Sequence, residues 1–156
     1  MKKYELTAEF IEQWGKKLFR IKALISFGSV EAGELGGYVE KEDNLAQDGD
    51  AWVCDDAWVC DDAWVYGDAE VYGDARVCGN ARVCGNADCL LIGRIGSRFS
   101  FTTFFKNKDK GITVSCGCFL GTIAEFRAKV TDTHGNNKHA KMYNLAADMA
   151  ELQILG

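Results

Sequence analysis

The middle of the chain alternates small apolar and polar residues on a fixed six-residue period. Six consecutive units run from Val53 to Asp88, and each sets a valine four positions before an alanine. In the Ala-x-Val triplet, alanine and valine share one face of a short strand while the residues between and after them point outward. A Gly/Asp–Asp/Asn pair then turns the chain, because these residues tolerate left-handed backbone conformations. The pattern predicts one strand and one corner in every six residues.

A corner after every strand excludes a ladder of hairpins, whose turns would have to reverse the chain. A triangular coil with one unit per side fits the spacing and places residue i beneath residue i+18. Upstream, Gly33, Val39 and Leu45 continue the interior phase of Ala51 at six-residue steps. We therefore expect the coil to begin near residue 33 and to make about three turns. The interior valines should stack as Val53/Val71, Val59/Val77 and Val65/Val83.

The repeat resembles a known family in its pairing of an aliphatic residue with a small one four positions later, from Val53/Ala57 to Val83/Ala87. That family is the hexapeptide-repeat left-handed β-helix proteins, and the resemblance implies a left-handed parallel β-helix over residues 33–92. The whole layout is also similar to small hexapeptide-repeat proteins of unassigned function from bacterial prophages and gut phages. The segments that carry this second likeness are residues 18–24, 33–38, 102–105 and 116–119.

Both flanks of the repeat predict covering structures. Residues 1–32 predict a β cap, with strands at residues 10–14 and 17–24 around a turn at Gly15 and Lys16. So short a coil needs its ends covered, because open strand edges pair with other chains.

The segment 97–156 predicts a ββαα module. Strands at residues 99–105 and 112–116 flank a turn, and Thr122 with Glu125 forms a capping box that starts a helix ending at Gly135. A second helix is expected from Lys138 to Leu155, since apolar residues recur at helical spacing. The side chains spaced for burial on it are Tyr143, Leu145, Ala146, Met149 and Leu152. The expected fold class is mainly β, a β-helix between two caps.

The charge of the chain is concentrated in the repeat. The formal net charge is −5 and the sequence pI is about 5.0, but residues 50–88 hold nine acidic and two basic side chains. This balance argues against direct nucleic-acid binding and suits a surface that meets a basic protein or imitates nucleic acid. No apolar run approaches the ~20 residues that span a bilayer. The polar start of the chain does not read as a signal peptide, so we expect a cytoplasmic protein without membrane contact.

The outward positions of the coil supply the candidate binding residues. The three tryptophans of the repeat should fall one on each side, beneath Glu70, Arg76 and Arg82, so that two cation–π pairs can form. Two interpretations stay open: aromatic ladders that stiffen the coil, or a binding face centred on one tryptophan. The candidate binding residues are Asp55, Asp56, Asp61, Asp62, Trp52, Trp58, Trp64, Tyr66 and Tyr72.

Catalytic chemistry has little support in the sequence. Left-handed β-helix proteins are often trimeric acyltransferases with a histidine base between coils, but His134 and His139 both lie outside the repeats. Cys116 and Cys118 with these histidines form either a zinc or thiol site or, as the spacing favours, a buried cysteine pair near a helix boundary. We expect no cofactor and no metal.

The leading interpretation is a non-catalytic binding protein of phage origin that acts in the cytoplasm of a bacterial host. The resemblance implies a host protein as partner, such as a nucleic-acid-handling defence complex of the CRISPR type, which the chain would inhibit. Two alternatives remain: a structural scaffold that self-associates into homo-oligomers, and a hexapeptide-repeat acyltransferase.

Overall fold

The structure is a computed structural model that describes all residues from 1 to 156. It contains thirteen strands, two α-helices and two short 3-10 helices. The strands are β1 (Tyr4–Gln13), β2 (Lys16–Ala23), β3 (Leu35–Val39), β4 (Trp52–Val53), β5 (Trp58–Val59), β6 (Trp64–Val65), β7 (Glu70–Val71), β8 (Arg76–Val77), β9 (Arg82–Val83), β10 (Cys89–Ile95), β11 (Ser100–Lys106), β12 (Ile112–Cys116) and β13 (Phe119–Thr122). The α-helices are α1 (Ile123–His134) and α2 (Lys138–Leu155).

The strands form four separate sheets. The largest has the order β1-β2-β3-β5-β8 and joins an antiparallel hairpin to parallel strands. A second sheet, β10-β11-β12-β13, is antiparallel throughout. The other two sheets are the parallel pairs β4-β7 and β6-β9.

The expected fold class, a left-handed parallel β-helix between two caps, is therefore wrong. The molecule is an assembly of mixed, parallel and antiparallel sheets with two helices. The physical reason is that the parallel ladders are small: each repeat contributes a strand of only two residues, and each side of the repeat holds just two or three parallel strands. On one side the ladder continues into the antiparallel β1–β2 hairpin instead of another turn of coil.

The predicted offset of 18 residues within the repeat is confirmed. Strands β4, β5 and β6 each pair in parallel with the strand 18 residues later. All six paired valines are at most 1 % exposed. Backbone N–H groups of one turn donate to carbonyls of the next, as from Cys60 N to Val77 O at 3.0 Å. The valine pairs are Val53/Val71, Val59/Val77 and Val65/Val83.

The phase predicted upstream of the repeat is shifted by two residues. Val39 pairs with Val59 and Leu45 bridges to Val65, an offset of 20, so both occupy the valine position of the repeat and not the alanine position. Both side chains are still buried, whereas Gly33 is exposed. The extra length lies in the segment between Leu45 and Ala51, which departs from the six-residue pattern.

Side chains satisfy the backbone at the first turn of the repeat. The Asn44 amide donates to the carbonyls of Asp61 and Ala63 at 3.1 and 2.8 Å. The buried Lys3 ammonium donates to the Gly49 and Ala51 carbonyls, and the Tyr4 hydroxyl donates to two further carbonyls. These polar groups bond backbone carbonyls that no neighbouring strand pairs with. Left unpaired, buried carbonyls would carry a desolvation cost.

The C-terminal part has more strands than the predicted ββαα module. Strands β11 and β12 are flanked by β10, which begins as early as Cys89, and by β13. The helices follow the sequence signals closely: the Thr122 hydroxyl accepts from the Glu125 N–H, and Thr122 N–H donates to the Glu125 carboxylate. Helix α2 has the predicted bounds. No helix combines the length and apolar character that crossing a membrane requires.

The predicted buried face of α2 is partly wrong. The helix packs on the antiparallel sheet mainly through alanines, with Tyr143 and Ile154, while Leu145, Met149 and Leu152 are 65 %, 54 % and 77 % exposed. Apolar residues occur on two faces of this helix, so helical spacing alone does not decide which face meets the sheet. The small alanine side chains allow the closer approach.

Candidate protein-binding surface

The three tryptophans of the repeat occupy equivalent positions on three different sheets but have different surroundings. Trp52 is 3 % exposed because the N-terminal segment covers it: its ring lies 6.4 Å from that of Tyr4 and 5.3 Å from that of Phe27, both edge to face. Trp52 is therefore part of the core. The β4–β7 pair therefore presents no aromatic ring to solvent at the position of Trp52.

Trp58 is covered by the β1–β2 hairpin. It is 5 % exposed, with the Trp14 ring 5.5 Å away and the Arg76 guanidinium 4.8 Å from its centroid. The predicted cation–π pair between Trp58 and Arg76 is confirmed. Leu18, from β2, packs in the same small cluster. We call the outer face of β5 and β8 the covered side.

Trp64 remains accessible. It is 40 % exposed, and its ring stacks on that of Tyr66 with centroids 3.9 Å apart and an interplanar angle of 18°. Arg82, its partner in the ladder, does not form the predicted cation–π contact and donates instead to the carbonyls of Asp62 and Ala81. We call the outer face of β6 and β9, with Tyr66 and Cys84, the open side.

A groove of about 720 Å³ lies along the open side. Exposed Trp64 borders it, and both signs of charge line its walls. Beside the groove, burial and the neighbouring Cys84 thiol raise the pKa of the Tyr66 hydroxyl further above neutral. This hydroxyl can therefore donate a hydrogen bond. The charged residues that line the groove are Lys41, Glu42, Asp43, Asp48, Asp62, Arg82 and Lys108.

Two of the four predicted binding aspartates are corner residues of the fold. Asp55 and Asp61 have φ values of 55° and 59°, and the matching corners of the next turn are Gly73 and Gly79 at 64° and 65°. Each carboxylate accepts from the N–H of the glycine above it, at 3.0 and 2.9 Å. Aspartate tolerates this left-handed conformation and here also satisfies the next corner.

Asp61 has a second structural partner, the Lys16 ammonium at the hairpin turn. Burial alone would raise the pKa of Asp61, but Lys16 and the Gly79 N–H hold it below its usual value. A carboxylate with both partners is not free to meet a ligand. Asp61 therefore holds the hairpin against the repeat.

Asp56 and Asp62 are free surface carboxylates by comparison. Their side chains are 76 % and 83 % exposed, with Arg20 3.7 Å from Asp56 and Lys41 3.1 Å from Asp62. Ion pairs this exposed contribute little to stability. Both carboxylates can exchange these partners for a ligand. The remaining candidate, Tyr72, is 54 % exposed on a different side and stands apart from the Trp64–Tyr66 pair.

The C-terminal cysteines and histidines are spread over separate contacts. The Thr102 hydroxyl lies 3.3 Å from Cys116 Sγ, and Cys118 is exposed. The His134 and His139 rings are 5.5 Å apart, and His134 stacks on Tyr143. The three potential metal ligands that the structure gathers within 4.8 Å of one another are elsewhere, at Cys60, Asp61 and Cys78.

Sequence reasoning missed two groups of residues. Cys60 and Cys78 form the first group. They occupy the same repeat position one turn apart, so the 18-residue offset predicts that their side chains meet. The exposed apolar residues of α2 follow a 3-4-3 spacing, and for three of them helical spacing wrongly predicts burial. These residues are Met142, Leu145, Met149 and Leu152, with Leu155 beyond them.

No family model and no curated protein matches this chain.

Proposed function

We propose that this chain is a non-catalytic binding protein whose open side holds a basic surface of another protein. One observation carries the proposal: of the three equivalent tryptophans, Trp64 alone is left accessible, stacked on Tyr66 and bordering a groove. Aromatic side chains that are rigid and accessible are frequent anchors of protein interfaces. A ring held flat by a stacked neighbour loses little conformational freedom when a partner covers it.

The exposed carboxylates of the repeat indicate that the partner's surface is positively charged. Asp56 and Asp62 project from two corners, and Asp68 and Asp74 are also exposed. Carboxylates on a net acidic protein attract lysine and arginine side chains, and an exposed indole face adds a cation–π site for them. A nucleic-acid-handling protein of a bacterial host, as the phage resemblance implies, has such a surface, and the chain would meet it in the host cytoplasm.

The proposal is tested by capturing host proteins from a bacterial lysate with the wild-type chain and with matched variants. Trp64→Ala should lose the captured partner, while Tyr72→Ala, an exposed aromatic on another side, should retain it. Asp62→Lys, at the groove, should also lose it, against Asp132→Lys on α1 as a control. A partner that Trp64→Ala binds as well as the wild type would place the binding surface elsewhere.

The non-catalytic part of the proposal has its own test. Both histidines lie at the α1–α2 junction, on no strand of the repeat, so no imidazole is placed there to deprotonate an acceptor. We expect acyl-coenzyme A to leave the thermal unfolding midpoint unchanged. A concentration-dependent rise would favour the acyltransferase alternative.

A second function, self-association, is favoured by the exposed stripe on α2. We infer that two copies pair their α2 helices antiparallel about a two-fold axis. The 3-4-3 spacing of Met142, Leu145, Met149 and Leu152 is that of a helix–helix seam. A two-fold axis through the middle of this stripe sets the helix against its own copy, so the same apolar residues face each other.

The size of the stripe fits a dimer of modest affinity. Its exposed side chains offer roughly 500 Å² per copy, or about 1,000 Å² for the pair, at the low end of specific interfaces. Light scattering across a concentration series should show a monomer–dimer equilibrium. Leu145→Glu with Leu152→Glu should abolish it, whereas Leu120→Glu, an exposed leucine on β13, should not. A monomer at every concentration would exclude this function and leave the first untouched.

A further inference from the structure

The repeat brings two cysteines together beneath the N-terminal hairpin. Cys60 and Cys78 directly follow the paired residues Val59 and Val77 of the parallel strands β5 and β8. Their sulfur atoms are 2.9 Å apart, and the two residues are 0 % and 2 % exposed. A disulfide bond is about 2.05 Å long, so closing the remaining gap of about 0.9 Å needs only small side-chain rotations. We propose that Cys60 and Cys78 form a reversible disulfide that staples adjacent turns of the repeat.

The other two sides of the repeat show that this pairing is specific to one side. The same outward position holds Cys54 beneath Tyr72 on one side and Tyr66 beneath Cys84 on the other. Only the covered side therefore stacks a thiol on a thiol. The 18-residue offset, confirmed by the strand pairing, selects Cys60 and Cys78 from the seven free cysteines.

The same geometry disfavours a metal ion. Two thiolates bound to one tetrahedral zinc at about 2.3 Å stand roughly 3.8 Å apart, well beyond the observed sulfur separation. The third potential ligand, Asp61, is already engaged by the Lys16 ammonium and by the Gly79 N–H. A metal would have to separate the sulfurs and displace Lys16, whereas a disulfide requires neither.

The step can be written with a small-molecule disulfide such as oxidised glutathione as the oxidant. One cysteine thiolate attacks a sulfur of that disulfide, so that a protein–glutathione mixed disulfide forms while the glutathione sulfur–sulfur bond breaks and the first glutathione thiolate leaves. The second cysteine thiolate then attacks the protein sulfur and expels the second glutathione. Both thiol protons end on the two released glutathiones, so the protein pair is oxidised and the glutathione disulfide is reduced.

Access to the pair is controlled by the hairpin. Lys16 and Leu18 lie over this part of the repeat, and the contact with Cys78 together with burial raises the pKa of Cys60, which keeps the thiolate scarce. We therefore expect slow oxidation of the folded protein and ready oxidation during refolding, when the hairpin is not yet in place. Once formed, the bond should be protected from reductants by the same cover.

The test is to refold the full chain in a glutathione redox buffer and to map its disulfides by mass spectrometry. The dominant product should be about 2 Da lighter than the reduced chain, should join Cys60 to Cys78, and should unfold about 5–10 °C higher than the reduced protein. Cys60→Ser and Cys78→Ser should each abolish the product, while Cys54→Ser and Cys84→Ser should keep it.

Three results would overturn the proposal. Both thiols could remain free to react with maleimide after refolding, or another cysteine pair could dominate the map. Alternatively, the purified wild-type chain could carry stoichiometric zinc that is released when the thiols are blocked. Because the mass and mapping readouts use the wild-type chain, the outcome does not depend on whether a serine variant folds.

Discussion

The covered side and the open side are built from the same repeat but have opposite relations to solvent. Each has a tryptophan at the same position, a buried valine next to it and an arginine one turn above. On the covered side Trp58 is held between Trp14 and Arg76, and on the open side Trp64 meets only Tyr66 in a stack. The repeat therefore fixes the positions of the side chains, and the flanking hairpin decides which of them solvent reaches.

The largest expected effect is the loss of the tryptophan from the covered side. Trp58→Ala should lower the free energy of unfolding by about 3–5 kcal/mol, because it leaves a cavity between the hairpin and the repeat. Trp64→Ala should cost only about 1–2 kcal/mol, since that ring is already partly in water. Urea titrations of both variants measure the difference. Equal costs would mean that the hairpin does not cover its side in solution.

Inside the repeat, the buried valines of the covered side and the open side should contribute equally to the free energy of unfolding. Val59→Ala and Val65→Ala each remove two methyl groups from positions that are 0 % exposed, and each should cost about 2 kcal/mol. The same urea titrations apply. Costs that differ by more than about 1 kcal/mol would show that the hairpin also stiffens the interior, which would extend the comparison from the surface to the core.

A smaller effect is expected at the corner where the hairpin is anchored. Asp61→Asn should lower stability at neutral pH by about 1 kcal/mol, because the charge-assisted bonds to Lys16 and Gly79 weaken. The pKa of Asp61 is lower in the folded state, so its contribution is present above the unfolded value near 4 and is lost as the pH falls through the folded value.

The measurement is the stability difference between wild type and Asp61→Asn at pH 7 and near pH 2. We expect the difference to shrink at the lower pH, because protonation removes the Asp61 charge that the asparagine variant already lacks. A difference that is the same at both pH values would show that the carboxylate charge is not what anchors the hairpin.

The smallest effect belongs to the neighbouring residue on the open side. Asp62→Ala removes an exposed ion pair with Lys41 and should change stability by less than about 0.5 kcal/mol. The same substitution should weaken binding of a basic partner, and more so at low salt. Isothermal titration calorimetry with the captured partner at two ionic strengths measures the contribution of Asp62 to binding, and a urea titration measures its contribution to stability. A large loss of stability would show that Asp62 stabilises the fold and is not free to bind a partner.

The sequence predicted what is local and periodic. The offset of 18 residues, the buried valines, the capping box at Thr122 and Glu125 and the bounds of α2 all follow from spacing and from residue types that tolerate one conformation. It did not predict the covering of Trp52 and Trp58, because that depends on where a distant hairpin docks. The six-residue pattern also did not predict the two-residue change of phase before Ala51.

The site was predicted only in part for the same reason. Asp55, Asp56, Asp61 and Asp62 look alike in sequence, but the first of each pair takes the left-handed corner and the second points to solvent. In α2 the alanines, not the larger leucines, meet the sheet. Apolar character alone could not distinguish a face that packs from a face that remains exposed.

The side chains of Lys3 and Tyr4 have a consequence for how copies of the chain meet. They occupy carbonyl groups of the first turn of the repeat, the acceptors that an incoming strand would need. An edge whose acceptors are taken is a poor template for end-to-end polymerisation. Growth of a fibre from this end would first require these two side chains to leave. An ammonium and a phenol thus oppose the addition of a second copy at this end.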